Sequence, residues 1–413
     1  MKRSWFVVLV VLLTSTSAVA QYDYGIIYDP VLSMRMGTTD LVTAHKLIFS
    51  AEDLLLPAKL FNERGVLNKA GGIAYRLAKL VLIDMPTDNL IGVVNHEVFG
   101  HGWRLREYGA TRLTYQINMP PPYGNGGGST NWKQGEISYT DDEDIAMRIA
   151  GMGANITISD ELRNVFLETG MIHYRQAYAY MGGILDETLY ILGTDKAEYT
   201  SNDAAYYIAA IQDRSNRIDL HTLKQYALLN FVNPAFWLSA NSFFNRYLVG
   251  GTEEVSFPML ELFGVHYMPS LRLDLTPFGA EVRFTNLVHT GKRIWNVYVC
   301  YDGFGGYTSS RVGVDISHLY RTSFLDLGGL VELWDQPEIE LGDHAPGVIY
   351  NDVWAHRKMA GGRGAMLLLS AKLHPIADTW GLRVDAGLKS AGFTQSEQLD
   401  NGPIIRGGLF IRM

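Results

Sequence analysis

Two periods of hydrophobic spacing divide the chain. From Asp40 to about Gly250 apolar residues recur every three to four positions, and the segments 41–60, 73–83, 88–108, 145–166 and 174–192 predict helices. Thr140 followed by Glu143 is a capping-box pattern, and Asp141 and Asp142 suit the positive end of a helix that starts there. The stretch 112–119 alternates like a strand and runs into Pro120-Pro121-Pro122-Tyr123-Gly124-Asn125-Gly126-Gly127-Gly128-Ser129, whose composition makes it a loop. The segment 226–248 is strongly apolar, but Asn230, Asn233, Pro234, Asn241 and Asn245 argue against a simple membrane span.

From about His266 the period becomes two. Leu271, Leu273 and Leu275 alternate with Arg272, Asp274 and Thr276, and Leu382, Val384, Ala386 and Leu388 with Arg383, Asp385, Gly387 and Lys389. About eight such runs reach the C-terminus. One face is apolar; the other carries Arg272, Glu281, Arg283, Asp315, Glu332, Arg383, Asp385 and Arg406. A soluble β-sandwich alternates in this way, and so does a small membrane barrel with lipid outside and charges in its lumen. The length of the runs and the terminal strand 404–413 favour the barrel, although the chain ends Phe410-Ile411-Arg412-Met413 and not on an aromatic residue. The expected fold class is therefore α+β: a mainly helical N-terminal domain at 21–250, then an antiparallel, about eight-stranded β-barrel at 261–413.

Composition adds to this picture. Charged residues make up 19% and aromatics 12%, with 23 tyrosines, a balance that suits a surface partly facing lipid. The net charge of −8 and the lack of a basic cluster exclude nucleic acid as a partner. A single cysteine, Cys300, permits no internal disulfide. Lys2 and Arg3, the apolar run 5–13 and Ala18-Val19-Ala20 form a signal peptide at 1–20, with the mature chain expected to begin at Gln21. That places the protein in a cell envelope, with the β half in an outer membrane and the helical domain in the periplasm.

The polar triad within the apolar segment 88–108 carries the chemistry: His96-Glu97-Val98-Phe99-Gly100-His101. Zinc takes imidazole nitrogens and carboxylate oxygens, and a catalytic site leaves one position open for water. In the usual helical H-E-x-x-H the histidines lie four residues apart, about 40° around the helix. Here they are five apart, about 140°, too far to share one ion on a regular helix. A local π-bulge must absorb the extra residue, and Gly100 lowers the cost of that distortion. No cysteine lies near, which points to an open catalytic site more than to a closed structural one.

The hexapeptide resembles the HExxGH zinc motif of the dipeptidyl peptidase III family. The resemblance implies that His96 and His101 bind Zn2+ and that Glu97 activates water. It also implies a third ligand from an E-E-x-R pattern on a later helix, which Asp160-Glu161-Leu162-Arg163 matches in part. Glu161 is the expected ligand, with Asp160, Asn155, Glu168 and Glu187 as alternatives. Gly100-His101 followed by Arg106-Glu107-Tyr108-Gly109 is similar to the stretch after the zinc motif of intramembrane site-two proteases. These likenesses cover about ten residues of the 413. The expected function is an envelope zinc metallopeptidase that cleaves a peptide or protein substrate, its β half in contact with outer-membrane lipid. The competing function is a non-enzymatic outer-membrane assembly protein with a structural metal site. Three weaker expectations are His173 and Tyr174 as oxyanion donors, Asp141 to Asp144 as a calcium site or a solvated helix start, and the strand at 112–119 as an edge for a peptide.

Overall fold

The computed structural model describes residues 23–60, 63–133, 137–215, 218–291, 293–302, 308–344, 357–376 and 379–412. The signal peptide expected at 1–20 lies outside the described residues. After strand β1 (Asp23–Tyr28) come helices α1 (Met34–Leu55) and α2 (Val66–Lys79), a π turn, and α3 (Met85–Val94). A π-helical segment, Asn95–His101, then leads into α4 (Gly102–Glu107). The hairpin β2 (Leu113–Ile117) and β3 (Gly128–Trp132) follows. Next are α5 (Asp141–Thr169), β4 (Met171–His173), α6 (Tyr174–Gly193), α7 (Asp203–Ser215), α8 (Leu220–Ala227) and α9 (Pro234–Ala240), the last running into a π segment, Asn241–Val249. The capping box forms as expected, Thr140 accepting from the Glu143 amide while Glu143 accepts from the Thr140 amide.

After the short strands β5 (Glu254–Ser256) and β6 (Leu260–Leu262), the C-terminal part is a meander. Its strands are β7 (Val265–Thr276), β8 (Gly279–Thr290), β9 (Arg293–Asp302), β10 (Ser309–Arg321), β11 (Leu325–Gly342), β12 (Arg357–Ile376), β13 (Trp380–Lys389) and β14 (Gly402–Arg412). With β6 at one edge and β1 at the other, they make a ten-stranded antiparallel sheet in the order β1-β14-β13-β12-β11-β10-β9-β8-β7-β6. This is α+β as expected, but the barrel of about eight strands needs correction. Among the described residues the sheet does not close on itself, and β1 joins it from the helical half by pairing with β14.

The physical reason lies in α5. It is buried on every side, with Ala146, Ile149, Met152, Ile156, Leu162 and Phe166 all in the interior, so it needs no amphipathic stripe. One side meets the inward, charged face of the sheet. Asp160 pairs with Arg272 at 2.6 Å, and Asn296 donates to Asn164 at 3.2 Å. At the N-terminal end, the β11 amides of Glu340 and Gly342 donate to Asp142 and Glu143. Other inward charges are paired as well: Arg311 with Glu281, Arg383 with Asp385, and Arg406 with Asp29 and Glu397. The outward positions are apolar and exposed, as Leu382, Val384 and Leu388 show on β13.

Helices also cover the sheet's edges. The groups of β1 that face away from β14 meet one face of α1: the Ile27 amide donates to Asp40 at 2.8 Å, the Gly25 amide to Thr43 at 3.1 Å, and Lys46 donates to the Asp23 carbonyl at 3.1 Å. Asp40, Thr43 and Lys46 are spaced three apart, so one helix face takes the place of a neighbouring strand. At the other end of the sheet, the β7 amide of Leu273 donates to the Asn230 side chain at 3.0 Å.

Candidate metal centre

The π-helical segment spans the hexapeptide, so the extra residue between the histidines is absorbed as the spacing requires. Nε2 of His101 lies 3.0 Å from Nε2 of His96. A close helix crossing makes room for this. A Cβ on Gly151 of α5 would stand 2.4 Å from the His96 ring, and one on Gly100 would stand 2.6 Å from Gly151. Two glycines facing each other thus let α5 press on the histidine turn.

The third side chain is Asp203, at the start of α7. Its Oδ2 lies 3.3 Å from Nε2 of His96 and 3.2 Å from Nε2 of His101. All three residues are buried. Ligand atoms of a tetrahedral zinc with bonds of about 2.0–2.1 Å lie about 3.3 Å apart, so the triangle has the size of one face of such a site. The structure does not bring Glu161, the expected third ligand, to this triangle. Glu161 lies ten residues beyond Gly151, about 15 Å along α5, and lines a polar cavity with Arg35, Asp315 and Arg383. The alternatives Asp160 and Glu168 face the sheet too, toward Arg272 and His318. Glu187 is buried near Asp274, and burial with that charge raises its carboxyl well above the usual range.

Further contacts orient the histidines. His101 donates from Nδ1 to the Met147 carbonyl at 2.8 Å, which leaves Nε2 of the neutral ring free to ligate. Nδ1 of His96 lies 3.7 Å from Asp186 of α6, and Asn155 donates to that carboxylate at 3.0 Å. Tyr190 stacks on the His96 ring, centroids 5.6 Å apart. Burial opposes charge on His96, but Asp186 and Asp203 outweigh it and push its pKa up to about 10. Burial likewise works against the Asp203 anion, yet His101 and His96 hold that carboxyl below the usual range.

Glu97 is also buried, and Thr130 of β3 donates to its Oε2 at 2.7 Å. His96 and Glu97 line one end of a cavity of about 510 Å³ that continues along α3 to Asp88 and His45. Gly126 to Gly128 form part of its wall, so the glycine loop lies beside the site. His173 and Tyr174, expected as oxyanion donors, instead bond Asp53, with Lys79 donating to the Tyr174 hydroxyl. Asp142 and Glu143 are spent on the α5–β11 junction and Asp144 bonds Tyr206, so that acidic run serves as a helix start.

Asp203 and Asp186 escaped the sequence reading. Asp203 follows Ser201-Asn202 and looks like part of a helix cap; Asn202 in fact caps α7 by accepting from the Ala205 amide at 2.8 Å, which leaves Asp203 for the site. Asp186 neighbours the considered Glu187 and points about 100° away from it around α6. No protein-family model matches the chain, and comparisons with curated proteins and with solved structures found no match.

Proposed function

We propose that the protein is a zinc-dependent hydrolase of peptide or related amide bonds, with His96, His101 and Asp203 as ligands and Glu97 as general base. The observation that carries this is the triangle of ligand atoms 3.0–3.3 Å apart beside a buried glutamate that opens onto a cavity. Zinc in such a site polarises a carbonyl and lowers the pKa of a bound water. With zinc held by these three side chains, Glu97 would be the base that takes a proton from water and returns it to the leaving nitrogen, and the Thr130 hydroxyl donates to its carboxylate. Asp186 and the Met147 carbonyl keep both imidazoles turned for ligation. Metal analysis and peptide-library hydrolysis test this together: the wild type holds about one zinc and cleaves, while Glu97→Gln holds zinc and loses about 10²- to 10⁴-fold in kcat. Equal hydrolysis by both proteins refutes the base role.

The same proposal places the sheet in an envelope lipid phase, an outer membrane. Many of its outward residues are apolar and exposed, and inward charges such as Arg311 with Glu281 and Arg383 with Asp385 are paired, the arrangement of a transmembrane β-structure. Side chains of α1 satisfy the free edge of β1, which lipid requires because it supplies no hydrogen bonds. Among the described residues no helix is long and apolar enough to cross a membrane, so strands would do the crossing.

A further inference from the structure

The cavity beside Glu97 has a composition that the metal centre does not explain. It runs along α3 and into the π segment, from Asp88 to Glu97, nine residues or about 13 Å. Its walls are mainly apolar, including Leu41, Ile91, Ile158, Leu162, Leu185 and Phe236. Its volume, about 510 Å³, falls among pockets that enclose a small organic ligand. No lysine or arginine is among the described residues that line it, so a free carboxylate would meet no permanent cation there away from the metal. At its far end Oδ1 of Asp88 accepts from His45 at 3.1 Å and lies 3.3 Å from Arg175, while Oδ2 of Asp88 and Nδ1 of His45 are buried without a hydrogen-bond partner among the described residues, so the buried unpaired polar atoms of its lining lie at that end. Leu189 and Phe244 also belong to the lining, and they are 60% and 53% exposed, so the rim is apolar as well.

A peptide in an extended site needs main-chain partners and termini that are met by charge. A hydrocarbon chain needs neither, and it gains from every methylene moved out of water. Resting on the hydrolase proposed above, we infer that the substrate is a fatty acyl amide. Its scissile carbonyl sits at the His96–His101–Asp203 centre and its alkyl chain lies in the cavity along α3. The step balances without a redox partner. A water oxygen bonds to the carbonyl carbon, the C–N bond breaks, and the water's proton passes through Glu97 to the departing amine. The products are a free amine and a fatty acid, which releases its remaining proton to solvent to become the carboxylate. The apolar rim lets the chain enter from lipid, in keeping with a sheet whose outer face is apolar.

The test uses the full zinc-loaded chain in digitonin, whose rigid sterol does not imitate an alkyl chain. Acetyl, hexanoyl, decanoyl and myristoyl amides of aminomethylcoumarin are compared with a peptide library. From hexanoyl to decanoyl, kcat/KM is expected to rise at least about ten-fold, as added methylenes are buried. Ile91→Phe and Leu162→Phe narrow the cavity; each should remove that gain while zinc content stays at the wild-type level. Binding of a fluorescent polyene fatty acid to Glu97→Gln, lost when Ile91→Phe is added, reads the same cavity without turnover. Turnover independent of chain length and unaltered in Ile91→Phe, or library peptides cleaved faster than every acyl amide, overturns the acyl-chain inference and leaves the hydrolase standing. No turnover of any amide or peptide by the zinc-loaded wild type overturns the hydrolase itself.

Discussion

Two imidazoles and a carboxylate from distant parts of the chain share one point, and each is held there by a different kind of partner. His101 leans on a backbone carbonyl, His96 on the Asp186 carboxylate, and Asp203 on the first turn of α7. Removing a ligand therefore differs from loosening one. Asp203→Asn should abolish stoichiometric zinc, whereas Asp186→Asn should weaken zinc about 10- to 100-fold, the usual effect of a supporting carboxylate. Glu161→Gln should leave zinc content at the wild-type level; a loss there would restore Glu161 as a ligand. Competition with a chromophoric chelator measures all three. Asp40 gives a separate test at this scale. Burial pushes its carboxyl up to about 6, against the Ile27 amide and the charge of Arg383. A folded-state value above the unfolded one gives stability that is full below about 4 and is lost as pH rises through about 6. Asp40→Asn should then raise the melting temperature more at pH 8 than at pH 4, and equal shifts at the two pH values would contradict this. Of the site, the sequence showed the histidine pair and Glu97, because five-residue spacing on an apolar helix leaves few alternatives. Asp203 was hidden because an acid at a helix start has a local explanation that is satisfied nearly everywhere.

The π-helical segment is the element on which the centre depends, and its spacing foretold it. His96 and His101 meet only if the helix widens by one residue between them, and Asn95–His101 does so. The sequence could not show that α5 must come within backbone contact of the same turn. Gly100 reads as a softener of the bulge, but its second role appears only against Gly151. Gly151→Ala should therefore push a methyl group into the His96 ring and cost about 1–3 kcal/mol, as overpacking does, along with much of the zinc affinity. Glycine at 182 on α6 has open space around its added Cβ, so Gly182→Ala is the matched control and should keep zinc and stability. If both variants hold zinc equally, the close crossing is not what shapes the site. Helix α5 itself was legible at its start, from Thr140 and Glu143. That one side of it would pack on the sheet was not, since a run such as Asp160 to Asn164 looks like an exposed polar face until its partners Arg272 and Asn296 are seen.

Across the whole molecule, the inward-charged and outward-apolar alternation was plain in the strands, and so was the change of period between about residues 250 and 266. Closure was not, because β1 comes from the far end of the sequence and α1 and α5 do work that further strands would do in a barrel. This inverted packing gives the last prediction. Val331 lies mid-strand in β11, paired with Val314 and Leu367, and is 46% exposed on the outward face. In water an arginine there stays within about 0.5 kcal/mol of the valine, because its head is solvated and no partner is left buried. In lipid the same arginine costs about 2–4 kcal/mol near the bilayer midplane. Val331→Arg therefore distinguishes the two surroundings of one unchanged fold. Reversible urea unfolding of the full chain in lipid vesicles should show a loss of that larger size, and less of the variant should reach the membrane fraction of cells. A loss under 0.5 kcal/mol, with unchanged partitioning, means that the apolar face meets something other than lipid. The fatty acyl amide would then have to reach the cavity from water.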